Sequence, residues 1–285
     1  MHNPSYAPRR REFLKTASAA AFLSPLFGAP SKSLGAMPVA ETTNGKVRGF
    51  DSNGVKTFRG IPYGGDTSGK NRFKPPTPAA KWAAVRDCTD YGHISPQNLV
   101  KNPGDYEKAI EWDKQRGGLS EDCLNLNIWT RGLKDGHKRP VLVSYHGGGF
   151  TTGSGNLPAY EAEPLVHFAD VVVVTVNHRL GPLGYTYLGD IAGPEYALSG
   201  VAGMMDCVQS LQWIRDNIAN FGGDPGNVFI FGQSGGGAKT STLLSMPSAK
   251  GLFHRGCDER VDHPSDASRC RDTGGCNAAG QGRHR

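Results

Sequence analysis

The chain has 285 residues, 37% hydrophobic and 20% charged, with 39 glycines and a formal net charge of +6. That length is enough to bury a large core, in one big domain or two. The basic surplus sits in Arg9, Arg10, Arg11 and Lys15 at one end and in an arginine-rich last segment at the other. With no basic helix face interleaved with aromatics between them, no nucleic-acid partner is expected from the charge.

In chain order, Arg10-Arg11-Glu12-Phe13-Leu14-Lys15 leads into the mildly apolar stretch from Thr16 to Ala29. The pattern resembles a twin-arginine export signal, too short and too weakly hydrophobic to anchor in a bilayer. Leu34-Gly35-Ala36 approximates the small-residue cleavage rule. Residues 1–36 are therefore expected to be a signal peptide, with periplasmic or secreted residence and no membrane anchor after cleavage. Residues 38–62 carry Asn44-Gly45 and Asn53-Gly54 between β-prone runs. These predict a small antiparallel meander at the start of a sheet. Residues 64–118 are rich in Gly, Pro, Asn and Lys and read as loop, with a short helix near Asp105 to Asp113.

Strands are expected at 124–130, 141–145, 171–177 and 228–232. The run from Val171 to Val176 lacks alternation, as a strand covered on both faces would. Between the last two strands Met204, Val208, Leu211, Ile214 and Ile218 recur at helical spacing, leaving Asp206, Gln212 and Arg215 outward. Another helix is expected to start near Ser234 and run through Leu243-Leu244. Strand–helix–strand alternation of this kind predicts a parallel α/β sheet.

Two loops carry chemistry. Val228-Phe229-Ile230-Phe231 runs into Gly232-Gln233-Ser234-Gly235-Gly236. A Gly-x-Ser-x-Gly between a strand and a helix is a nucleophile elbow, whose sharp turn exposes the serine hydroxyl and crowds the flanking glycines. Upstream, Arg139-Pro140-Val141-Leu142-Val143-Ser144-Tyr145 runs into His146-Gly147-Gly148-Gly149-Phe150. Glycines in a row let main-chain N–H groups approach a substrate carbonyl, as in an oxyanion-hole loop.

Together with Thr57-Phe58-Arg59-Gly60-Ile61-Pro62-Tyr63, Ser120-Glu121-Asp122-Cys123-Leu124-Asn125-Leu126-Asn127-Ile128-Trp129, Asn177-His178-Arg179-Leu180-Gly181-Pro182-Leu183-Gly184 and Phe221-Gly222-Gly223-Asp224-Pro225, these loops carry a resemblance. From about Ala40 to Arg255 the chain resembles the type B carboxylesterase/lipase family. The resemblance implies an α/β-hydrolase fold, a mostly parallel sheet with flanking helices. It is expected to be C-terminally truncated, because members of the family are close to twice this length. Residues 37–255 would be the N-terminal part of that domain.

By the same resemblance Ser234 is the nucleophile, and the N–H groups of Gly148, Gly149 and Gly235 form the oxyanion hole. The substrate is a small-molecule carboxylic ester, hydrolysed through an acyl-serine without metal or organic cofactor. A histidine base and a Glu or Asp should follow the serine. His254 stands where the family has a histidine without a catalytic role, His263 and His284 lie in unrelated sequence, and His146 and His178 have no triad position. The triad acid and histidine therefore have no match in this chain. It is expected to be inactive alone; the alternatives are a non-functional fragment or a non-catalytic binding relative of the fold.

Residues 256–285 contain no Leu, Ile, Phe, Tyr, Trp or Met. Such a segment cannot offset its ordering entropy and is expected to be a disordered tail, leaving the 228–232 strand as an unpaired edge. Cys123 belongs to a family signature whose usual partner position is Ser95 here. Cys88 is close to Ser95 in sequence and could substitute, so a Cys88–Cys123 disulfide and two free thiols both stay open. Cys207 reads as a small core residue. Cys257, Cys270 and Cys276 with His263 do not match zinc spacing. The resemblance further implies that Glu121 pairs with Arg59, and that Gln233, where cholinesterase-like members have glutamate, weakens any case for a cationic substrate.

Overall fold

The computed structural model describes residues 37–259 and 269–272. The expected export signal, together with His263, His284 and Cys276, lies outside the described residues. The strands are β1 Val39–Thr42, β2 Gly45–Arg48, β3 Phe50–Ser52, β4 Val55–Pro62, β5 Arg86–Asp87, β6 Asn125–Thr130, β7 Arg139–Tyr145, β8 Val172–Val176, β9 Gly223–Gln233, β10 Arg255–Glu259 and β11 Arg269–Asp272. The helices are α1 Asp105–Ala109, α2 Glu163–Ala169, α3 Gly181–Tyr185, α4 Gly189–Ala192, α5 Ala202–Asn217 and α6 Gly235–Ser245.

The main sheet runs β11-β10-β9-β7-β8-β6-β4-β3. Its centre, β10-β9-β7-β8, is parallel, and antiparallel strands flank it on both sides. This is the expected α/β sheet with helices against it. The meander divides between two sheets: β1 and β2 join β5 in a small sheet of their own, while β3 and β4 edge the main one. The Asn53-Gly54 turn has φ of 52° and 82°, the left-handed pair that a two-residue hairpin requires.

Every residue of β8 is buried. Val172, Val174 and Val176 join the core that contains Met204, Val208, Leu211 and Ile214 of α5, while Val173 joins Trp129 and Val166 of α2 on the other face. Lack of alternation in the sequence thus corresponds to two covered faces. Each such side chain contributes about 2 kcal/mol on leaving water.

Three expectations need correction. Asp206 does not face outward; it is fully buried and takes Nη2 of Arg179 at 2.6 Å, Nε at 2.8 Å and the Arg179 main-chain N–H at 3.0 Å. Helical spacing locates a face, and here a buried cation from the loop after β8 makes an acid tolerable on it. Secondly, β9 is not an edge. Arg255–Glu259 pairs with it in parallel, Gly256 opposite Ile230 and Cys257 opposite Phe231, and β11 pairs with β10 in turn. Sheet pairing uses main-chain groups, so the polar composition from Gly256 onward does not prevent it. Thirdly, Arg59 Nη2 donates to Glu161 at 2.9 Å, while Glu121 takes Nε of Arg72 at 2.6 Å. The Arg59 guanidinium lies 4.4 Å over the Tyr91 ring and 4.9 Å over Phe50, which directs it away from Glu121.

Candidate active site

The elbow forms where β9 ends. Ser234 has φ 56° and ψ −121° and is the N-cap residue of α6, with its carbonyl accepting from the Ala238 N–H at 3.0 Å. A serine with positive φ is strained, and it persists only because its surroundings fix it. A Cβ on Gly236 would run into the Tyr145 carbonyl oxygen, and one on Gly232 would stand 2.6 Å from the Gly236 carbonyl carbon. Glycine at both positions is what lets the end of β7, the elbow and the start of α6 pack together.

The triple-glycine loop meets the elbow directly. A Cβ on Gly147 would stand 3.7 Å from Cβ of Ser234, and one on Gly235 would stand 2.6 Å from the Gly149 nitrogen. Gly148 and Gly149 have φ of 91° and 57°, and Phe150 follows at 66°. The loop is tied by Thr151 and Thr152 N–H groups donating to the Gly148 carbonyl at 3.0 and 3.1 Å, and by Gly181 N–H donating to Phe150 at 2.8 Å. Ser234 and Gly149 are both exposed. The structure therefore brings Ser234, Gly149 and Gly235 together beside the N-terminus of α6, with Gly148 adjoining. The helix dipole adds positive potential at that point.

Neither nearby histidine turns to the serine. His146 and His178 stack with ring centroids 4.9 Å apart, both buried. Each donates Nδ1–H to a neighbouring carbonyl, Gly147 and Arg179 respectively, at 2.9 Å. Burial, and after it the Lys239 ammonium, hold His146 well below the usual imidazole range and His178 down to about 3. His254 lies beside Val228 in the middle of β9, its Nδ1 accepting the Val228 N–H at 3.1 Å.

Several residues of this region escaped the sequence reading. Lys239 is fully buried, donates Nζ–H to the His146 carbonyl at 2.8 Å and sits 5.1 Å over the Phe150 ring. Its position four residues after Gly235 and four before the buried Leu243 was a legible sign that it faces inward. A buried amide network stands beside the loop: Asn177 Nδ2 donates to Asn125 and to Asn156, each at 2.9 Å, and the Gly155 N–H donates to Asn177 at 2.8 Å.

Cys88 and Cys123 are both buried thiols, and no disulfide joins them. Cys123 bonds toward Ser95, while Cys88 is fixed by main-chain bonds of 2.7 Å to Arg48 and Arg59. Burial pushes the Cys88 thiol up to about 12 and Cys123 higher still, so neither is a ready nucleophile. Among the described residues no group of three or more metal-ligating side chains is assembled. No helix among them is long and apolar enough to cross a membrane.

The sequence profile of the carboxylesterase family matches residues 36–257. The chain belongs to the carboxylesterase family. It is 41% identical over 217 residues to the para-nitrobenzyl esterase of Bacillus subtilis (strain 168), covering 76% of this chain and 42% of that protein. It is 42% identical over 218 residues to the phenmedipham hydrolase of Pseudarthrobacter oxydans, with the same coverage. Among solved structures, a carboxylesterase of Geobacillus stearothermophilus aligns with TM-score 0.68 at 43% identity, covering 76% of this chain and 42% of its own. An esterase from Clostridium hathewayi, described as hydrolysing aliphatic aromatic polyesters, aligns at TM-score 0.71 and 45% identity, covering 77% and 42%. This carboxylesterase-family chain thus has the α/β-hydrolase fold and spans about two fifths of the length of the curated relatives it matches.

Proposed function

We propose that this chain carries the nucleophile and oxyanion hole of a serine carboxylesterase acting on small-molecule carboxylic esters. Ser234 attacks the ester carbonyl, the alcohol leaves, and water releases the acid from the acyl-serine. The N–H groups of Gly148, Gly149 and Gly235 receive the developing oxyanion, each worth on the order of 3 kcal/mol in the transition state. The observation that carries this reading is the meeting of the exposed, positive-φ Ser234 with the Gly147–Gly149 loop at the start of α6.

The base and its acid partner are not assigned to residues of this chain. With His146 and His178 turned to main-chain carbonyls, the chain by itself is inactive on this reading. Residues 1–36 act as a twin-arginine signal, giving a periplasmic or secreted protein, and residues 37–255 are the esterase part.

A chimera tests the chemistry separately from the missing base. Residues 37–257 are joined to the remaining part of the Bacillus subtilis relative, and p-nitrophenyl acetate turnover is measured beside Ser234→Ala. The expected result is Ser234-dependent turnover by the chimera and none by the chain alone. A folded chimera without turnover would remove the proposal.

A further inference from the structure

Burying an ammonium is costly unless a charge or hydrogen-bond partner compensates it. Among the described residues no carboxylate pairs with Lys239, although the residue is fully buried. Its contacts are instead the His146 carbonyl oxygen at 2.8 Å and the face of Phe150 at 5.1 Å. These residues are the two ends of the triple-glycine loop. Between them Gly148 and Gly149 hold left-handed conformations, and Phe150 does so without the freedom of a glycine.

Phe150 is also held by the edge of Tyr185, 5.2 Å away, and by the Gly181 N–H on its carbonyl. From the loops that follow β7 and β8 the neighbouring ionisable groups are His146 and His178; from α5 it is Cys207. Burial keeps the imidazoles and the thiol neutral near neutral pH, so none of them supplies a counter-charge.

We infer that Lys239 is a positioning residue: its buried ammonium clamps both ends of the His146–Phe150 loop and so fixes the main-chain donors facing Ser234. The functional meaning rests on the esterase reading, but the clamp itself does not. A charge-assisted bond to a carbonyl is roughly twice as strong as a neutral one, and an ammonium attracts a ring face as a neutral amine does not. With Lys239 still buried, loss of the proton weakens both contacts and loosens the loop. Burial moves the Lys239 ammonium down to about 8, which brings that event within reach of ordinary buffers.

The sign separates the clamp from general stability. The unfolded chain keeps a lysine proton up to about 10.4, so between about 8 and that value the unfolded state binds more protons. Lys239 therefore makes global stability rise with pH over the window in which the loop loosens. Two opposite trends are expected from one proton.

The experiment is residue-resolved amide exchange on the full chain between pH 6.5 and 9.5, corrected for intrinsic rates. The reporters are the Thr151, Thr152 and Gly181 amides, and the amides of β8 serve as the global reference. Protection of the reporters should fall about tenfold or more as pH passes about 8, with β8 unchanged or better protected. Lys239→Met should show low, pH-independent protection, Lys239→Arg should keep protection through pH 9.5, and Ser234→Ala should follow the wild type. If the substituted chains do not fold, the wild-type pH course decides alone. Reporter protection that is flat across pH 8, or that falls only in step with β8, overturns the inference. Failure of ester hydrolysis leaves this measurement untouched, so the two readings fail separately.

Discussion

The main-chain carbonyl of Tyr145 fills the space where a side chain on Gly236 would begin. β7 therefore delivers its last residue against the first turn of α6, and the loop that follows Tyr145 starts already in contact with the serine elbow. Both atoms belong to the main chain, so no side chain can move aside to relieve a substitution. Gly236→Ala, and to a similar degree Gly232→Ala, should destabilise the fold by about 1–3 kcal/mol. Urea midpoints at constant slope will measure it; unchanged midpoints would mean that the elbow is not packed against β7.

Ser234 keeps a positive φ that a serine adopts only under constraint. Ser234→Gly removes the strained Cβ and should stabilise the chain by about 1 kcal/mol, whereas Ser234→Ala retains the strain and should change stability little. Both variants lose the hydroxyl, so both should abolish turnover in the chimera. Equal stability of the two variants would show that the elbow is not a store of strain.

Acid should weaken the fold through the stacked imidazoles. His178 has its folded value near 3 and His146 lies well below 6.5. Below about 6.5 the unfolded chain takes up protons that the folded chain refuses, so stability present above that pH is lost as pH falls toward 3. The slope is about 1.4 kcal/mol per pH unit for each histidine. Asp135, held down to about 2 by Arg139, contributes only below the ordinary carboxylate value of about 4 and so does not obscure the range above pH 5. Between pH 6.5 and 5.0, His178→Phe should show a visibly shallower fall in urea midpoint than the wild type; parallel curves would refute the assignment.

The Arg179–Asp206 pair should behave as a buried unit. Asp206→Ala strands a guanidinium whose side chain is 2% exposed and should cost about 3–5 kcal/mol. The double replacement Arg179→Met with Asp206→Leu removes both charges and should cost much less. A coupling energy near zero in the double-mutant cycle would contradict the geometry.

The parts legible in the sequence were those governed by local rules. The Asn53-Gly54 turn, the unbroken valine run of β8, the helical spacing of α5 and the glycines around Ser234 each state their structure within a few residues. The parts that were missed depend on partners distant in sequence. Asp206 could read as a solvent-facing acid until Arg179, from the loop after β8, arrived beside it. Arg59 packs over Tyr91 and Phe50 and pairs with Glu161, an acid far from it in sequence. Lys239 lies on the inward face of α6 by spacing, but its carbonyl partner belongs to a loop that precedes it by two strands. Cys88 and Cys123 are far apart in sequence, and the fold leaves both as buried free thiols, with Cys123 bonded toward Ser95.

β10 shows how little side-chain identity a sheet needs at its margin. Arg255-Gly256-Cys257-Asp258-Glu259 offers no apolar rhythm, yet its peptide groups line up rung by rung with those of the strand that delivers Ser234. A proteolytic nick after Leu252 would strip that ladder of its neighbour and leave the serine-bearing strand open to foreign chains. These few residues therefore act as a shutter over the outer edge of the strand that ends at Ser234.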